Sequence, residues 1–408
     1  MANKVYYGEY SLQHWIDLIL SKNIVLPKYQ RSFVWDEESV IHLIESIQQE
    51  HFVPPVTLGV YTKDSEKLNL ILDGQQRLTS ILLAYLGCFP NKEYFNTQAD
   101  IENINVNYHD TELNEELENE NTNKEVIKWT FSELLKLGNN KSSINKKITS
   151  EDYKQIDYEV DHNFFSNNYL GFSFLIPEET IQKNYFASIF IDINTRGEKL
   201  SAIEIREALY YLDENLKDFF DPTYTVKYII KSKSKPYKMD FVKYLAIISQ
   251  YINNGSNSKN IAIGTQGNQK KMEIEYFLPY IENVINDKKT EIWGEYTKIS
   301  NFSPNNSWQN KIDKVGFYLE KMLGENYTFT SVIDVDMFLF GLVYFVLFEN
   351  KTLSENVLNE LSSELKEKSK EFQDDKSGHA KSPNQLKHIK MRVDNSIRIY
   401  QGFIDESA

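Results

Sequence analysis

Two periods of apolar spacing along the first 90 residues predict a compact α/β unit. Helical spacing places apolar side chains on one face over 12–20, 40–47 and 78–86. Short apolar runs at 24–26, 56–61 and 68–72 predict strands, and we expect the last two to pair antiparallel. Ser11 and Asp36 are placed to cap the first two helices, and Gly87 to end the third.

Beyond residue 90 the pattern changes twice. Residues 91–168 are rich in Asn, Asp and Glu, and they predict an acidic, solvated insertion that is partly helical near 129–137. Strands are predicted at 169–176 and 185–191, followed by a helix that Ser201 and Glu204 open as a capping box. The remainder is mostly helical by spacing, with helices over 241–251, 273–284, 311–323, 332–348 and 353–372. The predicted fold class is therefore α+β, with an α/β domain at 1–215 and a helical domain at 216–408.

Composition narrows the class of protein. The 408 residues are 41% hydrophobic and 25% charged, as in soluble globular proteins. A net charge of −14 argues against a chain that coats nucleic acid with its whole surface. The single cysteine, Cys88, excludes an internal disulfide framework and indicates a reducing, cytoplasmic setting. No signal-peptide pattern is present, and the most apolar run, 337–348, is shorter than the roughly 20 residues of a membrane span, so we expect no membrane association.

The most informative stretch is Asp73-Gly74-Gln75-Gln76-Arg77, which lies between a predicted strand and a predicted helix. A helix N-terminus attracts anions, so an arginine in the first turn is unfavourable unless a negative group lies beside it. Two interpretations remain open. Asp73 caps the helix and pairs with Arg77, or a phosphate occupies the turn with Gln75 and Gln76 as donors.

Two further polar turns also join an arginine to an amide. They are Gln30-Arg31 and Asn194-Thr195-Arg196-Gly197. Because the guanidinium fork suits phosphate oxygens, three such turns brought together would cradle a triphosphate, and Tyr29, Phe33 and Trp35 could stack a base. The alternative is that the arginines pair with nearby carboxylates and the rings lie in the core; the acids concerned are Asp36, Asp73, Asp192 and Glu198.

Other common chemical motifs are absent from the sequence. No Walker loop, His-Glu-x-x-His or Gly-x-Ser-x-Gly occurs, and the seven histidines form no metal-ligand spacing, so no protein metal site is predicted. Two tracts are locally basic, and either could contact DNA phosphates or be a solvated face. The candidate DNA contacts are Lys233, Lys235, Lys238, Lys387, Lys390 and Arg392.

Three ordered motifs resemble one family. Residues 26–35 (Leu-Pro-x-Tyr-Gln-Arg-x-Phe-Val-Trp), 71–80 (Ile-Leu-Asp-Gly-Gln-Gln-Arg-Leu-Thr-Ser) and 190–201 (Phe-Ile-Asp-Ile-Asn-Thr-Arg-Gly-Glu-Lys-Leu-Ser) are similar to the N-terminal domain of GmrSD-type modification-dependent restriction proteins. The resemblance covers 10–90 and 170–215. It implies a ParB/sulfiredoxin-like domain that binds and hydrolyses a nucleoside triphosphate during anti-phage restriction.

The resemblance also implies roles for named residues. Asp73, Gln75, Gln76 and Arg77 would process the triphosphate, and the further nucleotide-binding positions would be Gln30, Arg31, Gly74, Asn194 and Arg196. From its chemistry, Asp73 is expected either to orient the attacking water or to hold a Mg²⁺ ion, and the expected cofactors are the nucleoside triphosphate and Mg²⁺. The C-terminal His-Asn-His nuclease domain of many members is not recognisable here, so a nuclease or second-subunit partner is open, as is homo-oligomerisation. Two other functions are weighed: a DNA-nicking endonuclease at the same turn, and a non-enzymatic DNA-sensing module.

Overall fold

The computed structural model describes residues 4–26, 32–63, 66–96, 129–176, 189, 205–206, 209–210, 214–231, 236–263, 272, 276–286, 296, 308–375 and 378–404. These residues divide into two units, one with the described residues up to 210 and one with those from 214 onward. The fold class is mixed α+β, with the larger sheet in the first unit and mostly helices in the second. The predicted boundary after residue 215 stays a prediction.

The first unit is a mixed five-stranded sheet with helices. In chain order its elements are β1 (Lys4–Ser11), α1 (Leu12–Leu20), β2 (Ile24–Val25), α2 (Glu37–Gln48), β3 (Val56–Lys63), β4 (Glu66–Asp73), α3 (Gln75–Leu86), β5 (Cys88–Pro90), α4 (Ser132–Leu137), α5 (Lys141–Asn145), β6 (Tyr153–Gln155), α6 (Phe164–Asn167) and β7 (Tyr169–Ile176). The sheet order is β1-β7-β3-β4-β2, and β5 pairs separately with β6.

Local signals in the sequence explain several of these boundaries. The Ser11 hydroxyl accepts from the His14 N–H at the start of α1, and the Asp36 carboxylate accepts from the Ser39 N–H at the start of α2. Gly87 ends α3 in the left-handed conformation. The antiparallel pairing of β3 with β4 and the strand at 169–176 are confirmed.

The two faces of the sheet carry different side chains. Leu58 and Ile71 belong to the main core, which also contains the apolar faces of α1, α2 and α3. On the opposite face, Leu70, Leu72 and Leu175 form a smaller apolar cluster, against which Val25 and Ile189 pack. Apolar side chains therefore cluster on both faces of the sheet, although β1 is exposed from Lys4 to Glu9.

The predicted solvated insertion at 91–168 is wrong for its second half. Trp129, Phe131, Leu134, Ile144 and Phe164 are all buried in the main core. Apolar residues recur every few positions among the Asn and Glu residues of this stretch. They share the main core with residues of α3 and β5. The helix expected near 129–137 is confirmed as α4. Ile189, the described residue of the predicted strand at 185–191, is helical, so the strand prediction is wrong at that position. Residues 97–128, the rest of 185–191 and the predicted capping box at Ser201 and Glu204 lie outside the described residues.

The second unit contains helices and a small sheet that the spacing did not predict. Its elements are α7 (Glu214–Phe220), β8 (Tyr228–Ile230), β9 (Tyr237–Lys238), α8 (Phe241–Asn253), α9 (Leu278–Asn286), α10 (Trp308–Leu323), β10 (Tyr327–Phe329), α11 (Val332–Leu342), a π-helical turn at Val343–Phe348, α12 (Leu358–Asp374) and α13 (Leu386–Gln401). β10 pairs parallel to β8, and β9 pairs antiparallel to β8. Strands of two or three residues are too short for alternation to reveal.

One buried carboxylate organises the core of this unit. Asp336 on α11 accepts from Lys243 Nζ at 2.6 Å and Tyr244 OH at 2.9 Å through Oδ1, and from Arg392 Nε at 2.9 Å through Oδ2. Burial alone would raise the pKa of Asp336, but the two cations lower it overall. Arg392 Nη2 also donates to the Pro383 carbonyl. The carboxylate therefore joins α8, α11 and α13.

We expect Asp336→Ala to lower the free energy of unfolding by about 3–5 kcal/mol, because two buried cations lose their counter-charge. Chemical denaturation measures the change. Glu364→Ala, which removes an exposed carboxylate from α12, is the control and should stay within about 0.5 kcal/mol. A similar small change for both variants would contradict the assigned role.

A histidine near this cluster predicts an acid-sensitive fold. The His379 ring stacks between Phe372 and His388, at centroid distances of 4.2 and 4.3 Å. Burial, followed by the charge of Arg392 and of His388, lowers the pKa of His379 to about 4. An unfolded histidine titrates near 6.5, so the unfolded state binds more protons between these values. The stability contribution of neutral His379 is thus complete above pH 6.5 and is lost on acidification towards pH 4.

We expect His379→Gln to flatten the dependence of Tm on pH between 6.5 and 4, because the titrating ring is removed while a hydrogen-bond donor is kept. Thermal unfolding followed at several pH values measures this slope. His162→Gln, at an exposed position in the first unit, is the control and should keep the slope of the parent. An unchanged slope in the His379 variant would show that this ring is not the acid-sensitive group.

Candidate functional site

The turn from β4 to α3 is built around a left-handed glycine. Gly74 is the N-cap of α3 with a φ of +91°, which favours glycine over any residue with a Cβ. A Cβ at this position would lie 2.9 Å from Val56 Cγ2 and 3.2 Å from Val56 Cα. The turn therefore packs directly against the start of β3, and it places Asp73 and Arg77 beside the Pro54–Pro55 segment.

Arg77 holds three points of the chain together. Its Nη2 contacts Asp73 Oδ2 at 2.6 Å, and Nη1 donates to the Pro55 carbonyl at 3.1 Å and also to the Pro54 carbonyl. The pairing of Asp73 with Arg77 is thus present, but the helix cap is Gly74 rather than Asp73, and it makes no side-chain bond. The Asp73 side chain remains 37% exposed and that of Arg77 12%.

The two glutamines of the turn are buried. Gln76 Oε1 accepts from the Val34 N–H at 3.0 Å, and Gln76 Nε2 donates to the Ser32 carbonyl at 3.2 Å. The Gln76 amide thus bonds one carbonyl and one N–H of the three-residue segment 32–34, as the backbone of a neighbouring strand would. This arrangement makes Gln76 a positioning residue, which fixes the segment that directly follows Arg31 in the chain.

A row of side chains extends from Asp73 across the sheet, on the face opposite the main core. Asp73 is opposite Thr57 on β3, Thr57 is opposite Ser173 on β7, and Ser173 is opposite Tyr7 on β1. The Thr57 and Ser173 hydroxyls are hydrogen-bonded at 2.9 Å. We call these four residues the polar row. A register shift between Thr57 and Leu58 brings Asp73 into it, and strand periodicity alone did not reveal it.

The other predicted nucleotide ligands lie outside the described residues: Gln30, Arg31, Asn194 and Arg196. Tyr29 does as well. Phe33 is fully buried against Phe89 and Trp129, and Trp35 is half-buried against the main core. The Phe33 ring is therefore not presented to a base, which corrects the prediction for Phe33, and the prediction for Trp35 stays a prediction.

The basic candidates for DNA contact differ in their placement. Lys238 is buried in an ion pair with Asp221, and Arg392 is buried against Asp336, so neither charge is presented to DNA. These two positions are therefore corrected to structural roles. Lys387 is exposed, and Lys390 is half-buried and donates to the Lys259 carbonyl at 3.0 Å. Lys233 and Lys235 are not among the described residues.

Two negative findings apply to the described ranges alone. They contain no group of three or more His, Cys, Asp or Glu that could hold a metal ion. No helix within them is long and apolar enough to cross a membrane.

Comparison with known proteins identifies the first unit. The family described as "GmrSD restriction endonuclease, N-terminal domain" matches residues 13–211. This segment belongs to that family. Membership places the GmrSD-type segment in the context of restriction and anti-phage defence. The match includes the Asp73–Arg77 turn, Thr57 and Ser173, whereas β1 and Tyr7 precede it.

One further relative matches a short part of the chain. An uncharacterised protein of Methanocaldococcus jannaschii is 35% identical over 92 residues, which cover 17% of this chain and 16% of that protein. The chain thus spans about a sixth of this relative. No solved structure matches.

We expect Gln76→Leu to leave the Ser32 carbonyl and the Val34 N–H without their partner, at a cost of about 1–3 kcal/mol. Hydrogen exchange should then show faster exchange of the Val34 amide, while amides in the middle of α3 keep their protection. Gln13→Leu, which removes a partly buried glutamine of α1 that donates to Asp17, is the control. Slow exchange at Val34 in the Gln76 variant would contradict the positioning role.

Proposed function

We propose that this chain binds and hydrolyses a nucleoside triphosphate at the Asp73–Arg77 turn, as a component of modification-dependent restriction that contacts DNA. The observation that carries the proposal is the placement of a half-exposed carboxylate and a guanidinium at the N-terminus of α3. A helix N-terminus and an arginine both favour phosphate oxygens.

Arg77 keeps donors for a phosphate despite its ion pair. A guanidinium has five N–H groups. Two on Nη1 point to the Pro54 and Pro55 carbonyls and one on Nη2 to Asp73. The Nε–H and the second N–H of Nη2 remain for a ligand. Fixed by three bonds, the group needs little reorganisation as charge develops on the transferred phosphoryl group.

The remaining predicted ligands are compatible with one pocket. Ser32, which Gln76 holds beside the turn, follows Arg31 directly. Ile189, five residues before Asn194, packs on the sheet face that also carries Asp73 and Thr57. These two contacts support the proposal that Gln30, Arg31, Asn194 and Arg196 reach the same triphosphate.

In the proposed reaction a water oxygen forms a bond to the γ-phosphorus and the bond to the β–γ bridging oxygen breaks, which yields a nucleoside diphosphate and inorganic phosphate. Asp73 orients the water, and Arg77 stabilises the charge on the phosphoryl oxygens. A single carboxylate fits Mg²⁺, which is often held by one or two carboxylates together with substrate phosphates. Such an ion would neutralise phosphate charge.

The DNA part of the proposal rests on the family and on the exposed Lys387 of α13. Cleavage of the DNA would belong to a nuclease or second-subunit partner. The DNA-nicking and non-enzymatic alternatives have no observation in their favour among the described contacts.

We expect Arg77→Ala to reduce the rate of nucleoside triphosphate hydrolysis by about 100-fold or more, because it removes preorganised donors from the reacting phosphate. Phosphate release by the purified chain, with each of the four ribonucleoside triphosphates, measures the rate. Arg398→Ala, at an exposed arginine of α13, is the matched control and should keep the parental rate.

Because Arg77 also fixes the Pro54–Pro55 segment, Arg77→Lys provides a second variant that keeps the charge and loses the fork. Circular dichroism checks that both variants fold. Parental turnover in a folded Arg77→Ala chain would end the assignment of the turn.

A further inference from the structure

The polar row has a chemical order that matches an extended nucleotide. A carboxylate beside an arginine lies at one end, two hydroxyls follow, and an aromatic ring 79% exposed to solvent lies at the other end. Across a sheet, three strand steps of about 4.8 Å place Tyr7 about 14 Å from Asp73. Single exposed aromatic residues are common, so the position of Tyr7 within the row, rather than its exposure, carries the inference.

The register shows that Tyr7 shares a face with Asp73. Tyr7 is opposite Ser173, whose hydroxyl bonds Thr57, and its neighbour two positions back, Val5, is opposite Leu175 of the smaller apolar cluster. Tyr10 instead packs on Trp15 and Phe172, which face the main core. Odd-numbered residues of β1 therefore point to the site and even-numbered residues point away from it.

The hydroxyl pair keeps hydrogen-bonding capacity for a ligand. Each hydroxyl has one donor and two acceptor lone pairs, and the bond between Thr57 and Ser173 uses one O–H. One O–H and several lone pairs remain on two half-buried side chains. A vicinal diol, with two donors and two acceptors at adjacent carbons, suits such a pair.

We propose that the polar row binds the nucleoside of the triphosphate, with the ribose hydroxyls on Thr57 and Ser173 and the base stacked on Tyr7. This inference rests on the proposed function, since it takes the phosphates to be held at the Asp73–Arg77 turn. The substrate class is a ribonucleoside triphosphate. Because every base has a π-face, stacking alone selects weakly among the four.

The first test compares two tyrosines of one strand. Tyr7→Ala should weaken ATP binding about 5- to 150-fold, the range for loss of one stacked base, and Tyr7→Trp should retain it. Tyr6→Ala is the matched control, because Tyr6 is 50% exposed on the opposite face and should leave the affinity unchanged. Isothermal titration calorimetry measures the dissociation constants.

Inorganic tripolyphosphate separates the two proposals. It lacks base and ribose, so all three variants should bind it as the parent does. If the parent binds neither tripolyphosphate nor ATP, the proposed function and this inference both fail. If the parent binds both and Tyr7→Ala leaves ATP affinity unchanged, or if Tyr6→Ala lowers it equally, the inference alone is overturned.

The second test concerns the ribose. The parent should bind ATP more tightly than 2′,3′-dideoxy-ATP by about 2- to 13-fold per hydrogen bond lost, and Ser173→Ala should reduce this preference by the share of one hydrogen bond, because Thr57 remains. Ser166→Ala, a hydroxyl deletion in α6, should keep the preference. A full preference retained by Ser173→Ala would overturn the ribose assignment.

Discussion

The salt bridge between Arg77 and Asp73 is the contact on which the candidate site depends. It closes the turn between β4 and α3, and the same guanidinium binds two carbonyls of the segment that leads into β3. The Arg77 guanidinium thus connects α3 with the end of β4 and with the Pro54–Pro55 segment. An arginine at the positive end of a helix is unfavourable on its own, and the adjacent carboxylate offsets that cost. The contacts that stabilise the turn also hold the Arg77 guanidinium in one orientation, and they do not use its Nε–H or its second Nη2 N–H.

The two units differ in how exposed their main ion pairs are. In the first unit the ion pair remains partly accessible and retains donors. In the second unit Asp336 is fully buried and is hydrogen-bonded by Lys243, Tyr244 and Arg392. A buried pair of this kind costs desolvation and specifies one arrangement of helices. Arg392 had the sequence context of a DNA contact, which shows that a basic tract does not reveal which of its members faces inward.

The parts of the fold with local causes were predictable. Caps at Ser11 and Asp36, the glycine that ends α3, and the antiparallel β3–β4 pair all follow from residues within a few positions of each other. Of the candidate site, the contact between Asp73 and Arg77 was predictable, because the two residues lie one helical turn apart. What escaped prediction depends on distant contacts: the packing of Trp129 in the main core, the short strands of the second unit, and the alignment of Tyr7 with Ser173. Composition misled for the stretch after residue 129, because polar residues outnumber the apolar ones that are buried.

The order of strands in the larger sheet has a consequence for how the protein is made. β7 lies between β1 and β3 in the sheet. These two strands can therefore be joined only after β7, which ends at Ile176, has been synthesised. Pairings between residues this far apart form slowly, since the closure of a long chain segment costs entropy before any contact forms. During synthesis the Asp73 turn can form early, whereas Tyr7 and Thr57 come together only after more than 170 residues have left the ribosome. A ribosome-bound fragment that ends before β7 would therefore carry the Asp73–Arg77 turn without Ser173 of the polar row.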